Sequence, residues 1–240
     1  MVTFRPYPGA TIATVILLVL LCGLGTWQLD RLQWKLALIA RVNANLQAPP
    51  LTLDQILALE GEAAQYRRVT VSGRFDHAKE AYAFTTSASG EAVYHVLTPL
   101  MLADGRILLI DRGAVPESRR DPALRIAGNP QAETSVTGVW RSPDPPGAFT
   151  PAPDHARRIW YARDVAGIAA ADGIRLAAPV VIDADATPNP GGWPRGGQTV
   201  VEFRNQHLSY AVTWFGLAAC LLGVWLAFHI SKGRLVWGRG

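Results

Sequence analysis

Cysteine is almost missing from this 240-residue sequence, which holds only Cys22 and Cys220, each inside a long apolar run. The segment between those runs therefore has no disulfide and no cysteine-based metal site. Charge is scarce as well. Charged residues make up 18% of the chain against 49% hydrophobic, an apolar balance for a soluble protein. The net charge of +4 is spread along the chain, with no basic stripe interleaved with aromatics. That removes the electrostatic footprint of a nucleic-acid partner. Catalytic signatures are missing too: no G-x-S-x-G, H-E-x-x-H, C-x-x-C or P-loop pattern occurs. His77, His95 and His155 are scattered, without carboxylates or cysteines at ligand spacing. The glycine-rich segment 191–197 opens no helix and makes a poor phosphate cradle. Asp111, Asp183 and Asp185 lie at predicted strand ends and read as turn or salt-bridge residues. The expectation is a protein that is not an enzyme.

What the sequence does hold is concentrated at its ends. Residues 6–29 carry no charge, and residues 205–231 carry none apart from two histidines. A bilayer core needs roughly 20 apolar residues of helix, and runs of this length are too long for a buried core helix. Tyr7 and Trp27 flank the first run, while Tyr210, Trp214 and Trp225 punctuate the second, as interfacial aromatics do. Gly23-Leu24-Gly25 offers a signal-peptidase pattern, yet Arg5 is the lone basic residue before the first run and the apolar core is long for a signal peptide. A retained anchor is expected. The predicted organisation is a cytoplasmic N-terminus (1–9), a first transmembrane helix (10–29), a β-rich domain (30–206), a second transmembrane helix (207–230) and a cytoplasmic tail (231–240). Lys232, Arg234 and Arg239 favour a cytoplasmic tail, and Arg31, Lys35 and Arg41 nearly balance them across the first span. The long middle segment translocates whatever its charge, so it is expected outside. With no Arg- and Ser-rich transit peptide, this points to a bacterial inner membrane and a domain facing the periplasm.

Between the runs the periodicity changes. Leu32, Leu36, Ile39 and Ala40 keep helical spacing, so the first span is expected to run on as an amphipathic helix until Pro49-Pro50 stops it. A short helix follows at 52–59 with Thr52 as its cap. Alternation then predicts strands at 66–75, 81–85, 93–102, 106–111, 134–140, 159–161 and 179–182, with a hairpin turn at Ala103-Asp104-Gly105. Asp164 and Gly173 bracket a short helix, and the proline-rich 143–153 and 187–197 are loops. The fold class is therefore two transmembrane helices flanking an antiparallel β barrel or sandwich-like domain with short helices.

Chemistry gathers at one membrane boundary. Trp27, Arg31 and Trp34 share a face of the first helix, and His207, Tyr210 and Trp214 share a face of the second. The topology alone puts both sets at one level. An interfacial belt of aromatics and arginine explains them. So does a haem site, in which an imidazole ligates iron, aromatics cover the macrocycle and a cation pairs with propionates. His229, near the other end of the second span, reads as an interface residue.

The same segments resemble the Surfeit locus protein 1 family of cytochrome c oxidase assembly factors. The resemblance runs through Gly25-x-Trp27-Gln28-x-x-Arg31-x-x-x-Lys35, Tyr66-Arg67-Arg68-Val69, Gly73-x-Phe75, Leu108-Leu109-Ile110-Asp111-Arg112-Gly113 with Pro116, and the stretch from Asn205 to Phe215. One departure stands at 111–114, where the family's usual Asn-Arg-Gly-Trp is Asp111-Arg112-Gly113-Ala114. The resemblance implies a factor that brings haem A to the core subunit I of a haem-copper oxidase, with haem A synthase as a further partner and lipid around its anchors. It implies that His207 ligates the haem iron. Trp27, Tyr210 and Trp214 would then pack on the ring and Arg31 would pair with a propionate. A scaffold that stabilises an oxidase assembly intermediate without binding haem is the alternative.

Overall fold

The computed structural model describes residues 2–59, 61–87, 90–199 and 203–237. In chain order its elements are β1 (Val2–Phe4), α1 (Pro8–Gln47), α2 (Leu53–Leu57), β2 (Arg68–Phe75), β3 (Ala81–Thr86), β4 (Ala92–Leu102), β5 (Ile107–Pro116), β6 (Thr134–Arg141), β7 (Ile159–Trp160), α3 (Val165–Asp172), β8 (Val181–Ala184), α4 (His207–Ser231) and β9 (Leu235–Trp237). They form two compact units, Met1–Arg41 with Glu202–Gly240, and Val42–Val201.

In the terminal unit, α1 and α4 are both long and apolar enough to cross a membrane. Only 6% and 11% of their most apolar stretches are buried, so neither is the core helix of a soluble fold. The shielded positions of α1 include Thr11, Thr14, Leu18, Leu21, Gly25, Gln28, Leu32 and Lys35, alternating by three and four residues. Those of α4 include His207, Ala211, Trp214, Ala218, Leu221 and Trp225. Such a 3.5-residue repeat defines a single packing seam. The helices run antiparallel along it: the Trp225 indole donates to Thr11 Oγ1 at 3.3 Å, and the Phe215 ring lies on the bare face of Gly25. Gly25, Ala211 and Ala218 keep the seam thin, as small residues do between membrane helices.

Beyond the far end of the seam, β1 pairs antiparallel with β9. Three-residue strands from opposite ends of a chain leave no signature in the sequence, and this pairing was not foreseen. His229 is fully buried there. Its Nδ1 donates to the Trp225 carbonyl at 2.9 Å and its Nε2 accepts from the Tyr7 amide at 3.2 Å. Rings of Phe4, Tyr7, Trp225 and Phe228 surround it. His229, expected as an interface residue, is packed as a clasp at this end of the helix pair.

The second unit falls within the segment expected to be β-rich. Its sheet has the order β2-β6-β8-β5-β4, and a further β2–β4 pairing closes those five strands into a barrel. Closure is achieved by sharing one edge of β4: residues 92–97 pair with β3, and residues 100–102 pair with β2. β7 extends the sheet beyond β3 in parallel. Alternation along the strands sends Val69, Val71, Leu108, Ile110, Val136 and Ile182 into one apolar cluster, with Leu53 and Ile56 of α2 packed against them. The opposite face, with Leu97, Leu109 and Val181, is covered by Val165 and Ile168 of α3. The last turn of α1 belongs to this unit: Val42 is buried and the Asn45 amide donates to the Gln65 carbonyl at 3.0 Å.

Local signals account for most boundaries. Thr52 and Gln55 form a capping box on α2, and Asp164 caps α3 while Gly173 ends it in the left-handed conformation. Three strands depart from expectation by two residues or more, and one of them, β8, runs Val181–Ala184 rather than 179–182. Tyr66 takes a φ of 63°, so the first barrel strand begins at Arg68 rather than at 66. β5 runs to Pro116 rather than stopping at 111, because residues 114–116 pair with residues 93–95 of β4; Ala114 also exchanges backbone hydrogen bonds with Arg195 at 2.9 and 3.0 Å. Gly113 makes this approach possible: its φ is +115° and a β-carbon there would collide with the Arg195 carbonyl. Gly113→Ala is expected to destabilise the domain by about 2–3 kcal/mol. Gly105→Ala, at a φ of +83° but with open space around it, should cost about 1 kcal/mol. Denaturant unfolding of the two variants tests this, and equal losses would refute the close-approach argument.

Candidate functional site

The two boundary motifs meet on the helix seam. His207 stands at the first residue of α4, and its Nδ1 lies 2.8 Å from Gln28 Oε1 on α1. An amide oxygen only accepts, so Nδ1 carries the proton and the lone pair sits on Nε2. Among the described residues no partner occupies Nε2. Gln28 is 9% exposed while His207 is half-buried, so a rigid buried amide fixes the orientation of a more accessible ring. This is how ligating histidines are held: one nitrogen bonded to the protein, the other presented to a metal.

The other expected residues fall around this pair in two groups. Trp214 is on the seam, half-buried, and its indole Nε1 is buried with no hydrogen-bond partner among the described residues. A buried orphan donor is costly. Tyr210 is about half exposed, at 51%. Trp27, Arg31 and Trp34 share a face, as their spacing predicted, but it is an outward one. The Arg31 guanidinium lies 5.8 Å from the Trp27 ring and 5.5 Å from the Trp34 ring, and Trp27 is 50% exposed. His207 therefore meets the neighbour of Trp27 rather than Trp27 or Arg31. Gln28 was quoted in the motif without a role. The seam spacing of three and four residues through Gly25, Gln28, Leu32 and Lys35 was the signal that could have found it. Lys35 belongs to the same seam, with its ammonium 4.8 Å from the Phe203 ring.

As a donor set this arrangement fits a haem. It offers one imidazole nitrogen with a free lone pair, aromatic surfaces at Tyr210 and Trp214 on the same helix and the cation Lys35 on the seam, while Trp27 and Arg31 lie on the adjoining outward face of α1. The unpaired Trp214 N–H asks for an acceptor that no described residue supplies.

The domain has a separate polar centre. β5 and β8 run parallel, and their register puts Asp111 beside Asp183. Both carboxylates are buried, and adjacent buried carboxylates require cations. The His95 ring donates to Asp111 Oδ2 at 2.7 Å, and the amide of Gly113 donates to Asp111 Oδ1 at 2.9 Å. Arg163 donates to both oxygens of Asp183 at 3.0 and 3.1 Å and reaches Asp111 at 3.6 Å. Arg141 stands 3.7 Å from Asp183. The aspartates are thus salt-bridge residues, as their positions at strand ends predicted, and they gather residues that no sequence spacing connects. Burial opposes charge on His95, but the charge and hydrogen bond of Asp111 outweigh it and raise its pKa above the ordinary histidine value. Burial likewise opposes charge on Asp111, and His95 and Arg163 overcome it, holding that carboxyl below its usual range.

The chain is similar to known proteins along most of its length. The SURF1 family model matches residues 15–219. The chain is 37% identical to Surfeit locus protein 1 of Takifugu rubripes over 226 residues, covering 88% of this chain and 92% of that protein. It is 38% identical to a SURF1-like protein of Monosiga brevicollis, covering 88% and 84%, and 36% identical to Surfeit locus protein 1 of Homo sapiens, covering 85% and 72%.

The ion network predicts a pH dependence. A histidine whose folded pKa is raised contributes stability that is complete below its unfolded value of about 6.5 and is lost as pH rises through the folded value. His77 shifts the other way, lowered chiefly by burial, so its effect is confined to lower pH. The unfolding temperature of the domain is therefore expected to fall as pH rises above about 6.5, and His95→Gln should flatten that slope. An equally steep slope in the variant would rule out His95 as its source.

Proposed function

The chain belongs to the SURF1 family, and on that premise we propose that it is a membrane-anchored carrier that binds haem A at His207 and hands it to the core subunit I of a haem-copper oxidase during assembly. The observation that carries this reading is the His207–Gln28 pair, which leaves Nε2 as an oriented, available ligand at the end of an apolar helix seam. The haem would supply an iron able to take the His207 imidazole as a ligand. The protein's part is to orient that imidazole through Gln28, to cover the macrocycle with Trp27, Tyr210 and Trp214, and to pair cations with the propionates. Arg31 serves that last role, and Lys35 on the same helix can share it. No bond in haem is made or broken, so the protein is not an enzyme. Its partners are the oxidase core subunit and haem A synthase, and lipid bathes the outward faces of α1 and α4. We place the domain in the periplasm, held by two spans in the bacterial inner membrane. The three basic residues after the second run support that topology.

The test is spectroscopic. Full-length protein purified from cells that make haem A should carry haem, with a reduced-minus-oxidised spectrum. His207→Ala should lower the haem content at least tenfold, since it deletes the ligand. Gln28→Leu should keep the ligand but weaken retention by about 10- to 100-fold, the usual effect of losing the group that orients a metal-bound histidine. Equal haem content in wild type and His207→Ala would overturn the assignment and leave a scaffold that stabilises an oxidase assembly intermediate by protein contacts.

A further inference from the structure

The ion network of the β-domain forms one wall of an open cleft of about 650 Å³. Arg141, Arg163, Arg195 and His95 line it, against one carboxylate in the lining, Glu91. Asp111 and Asp183 lie behind the wall and engage Arg163 and Arg141 from the far side. With Asp144, 4.0 Å from Arg141, six groups form the network, three basic and three acidic, and the three basic ones line the cleft. Arg195 adds a fourth basic group. Its guanidinium lies 4.2 Å from the centroid of the half-buried Trp193 ring, so a charged plane and an aromatic plane are stacked at the cleft wall. The backbone hydrogen bonds between Arg195 and Ala114 hold that corner in place.

Two further details point to a ligand. Arg141 Nε is buried and has no hydrogen-bond partner among the described residues. Apolar surface from Val93, Val115 and Trp193 covers part of the same lining, more than an inorganic ion would use. Planar guanidinium forks suit carboxylate and phosphate oxygens. A cleft that joins convergent polar groups, a buried ion network and apolar walls is the usual form of a small-molecule site.

We propose that this cleft binds a small organic oxyanion, a carboxylate or phosphate group carried on a flat apolar body, with Arg141, Arg163 and Arg195 holding the anion and Trp193 the body. The site lies wholly within Val42–Val201 and uses none of the residues assigned to haem, so each assignment stands or falls alone.

Full-length protein in detergent is titrated by calorimetry and thermal unfolding with benzoate, phenyl phosphate, neutral benzamide and inorganic phosphate. Saturable binding of benzoate or phenyl phosphate, with a raised unfolding temperature, is expected, and benzamide should have no effect. The tighter of the two anions identifies the head group. Arg163→Gln disturbs a buried ion network and can unfold the domain. The decisive variant is therefore Arg195→Gln, whose backbone pairing is kept. It should weaken binding about tenfold and leave the unliganded unfolding temperature unchanged, while Arg74→Gln, on an outward face of β2, should bind as wild type does. The proposal fails if neither aromatic anion binds, if inorganic phosphate binds as tightly as both, or if Arg74→Gln weakens binding as much as Arg195→Gln.

Discussion

A polar pair inside an apolar seam sets the geometry of the terminal unit. An imidazole and an amide among aliphatic side chains are costly unless they satisfy each other. Gln28 and His207 do so, and that fixes the register of α1 against α4. Thr11 and Trp225 form a second polar contact along the seam. Seventeen residues separate Thr11 from Gln28, and eighteen separate His207 from Trp225. At 1.5 Å per residue both intervals span roughly 26 Å, so two straight antiparallel helices can satisfy both contacts at once. That spacing is close to the ~30 Å thickness of a hydrocarbon core. The β1–β9 pairing and the buried His229 then close the far end.

In the domain, register has a comparable role. Closing five strands into a barrel makes β5 and β8 parallel neighbours and sets Asp111 against Asp183. Two carboxylates so placed would repel each other in a low dielectric. His95 from β4, Arg141 from β6 and Arg163 ahead of α3 answer them. The ion network therefore follows from the closure of the sheet. It also ties down Thr199, whose hydroxyl donates to Asp183 at 3.0 Å. The carboxylate of Asp111 supplies the negative charge that pairs with His95.

What could be read from the sequence was local. Alternation gave the strands, Thr52, Asp164 and Gly173 gave helix ends, and the absence of charge gave the two long helices. What could not be read depends on partners far apart in the chain. His95, Asp111, Arg163 and Asp183 have no common spacing and meet only once the sheet order is known. The β1–β9 pair is too short to carry a periodic signal. Gln28 is the instructive case. Aromatic and charged residues drew the helix face to Trp27, Arg31 and Trp34, which is a real face held by cation–π contacts. The face that meets α4 lies one residue further round, and its signal was the three-four alternation of small and polar residues.

The openness of the helix-end site bears on what kind of binding it could support. Tightly held small molecules usually have 70–90% of their surface buried. Here Trp27 and Tyr210 are each about half exposed, and only Gln28 and the indole nitrogen of Trp214 are well shielded. A group held at His207 would thus be oriented firmly at one point and covered loosely elsewhere. Orientation lowers the cost of binding, and incomplete cover limits affinity and leaves an exit. That combination would suit the proposed carrier role, which requires the ligand to be given up.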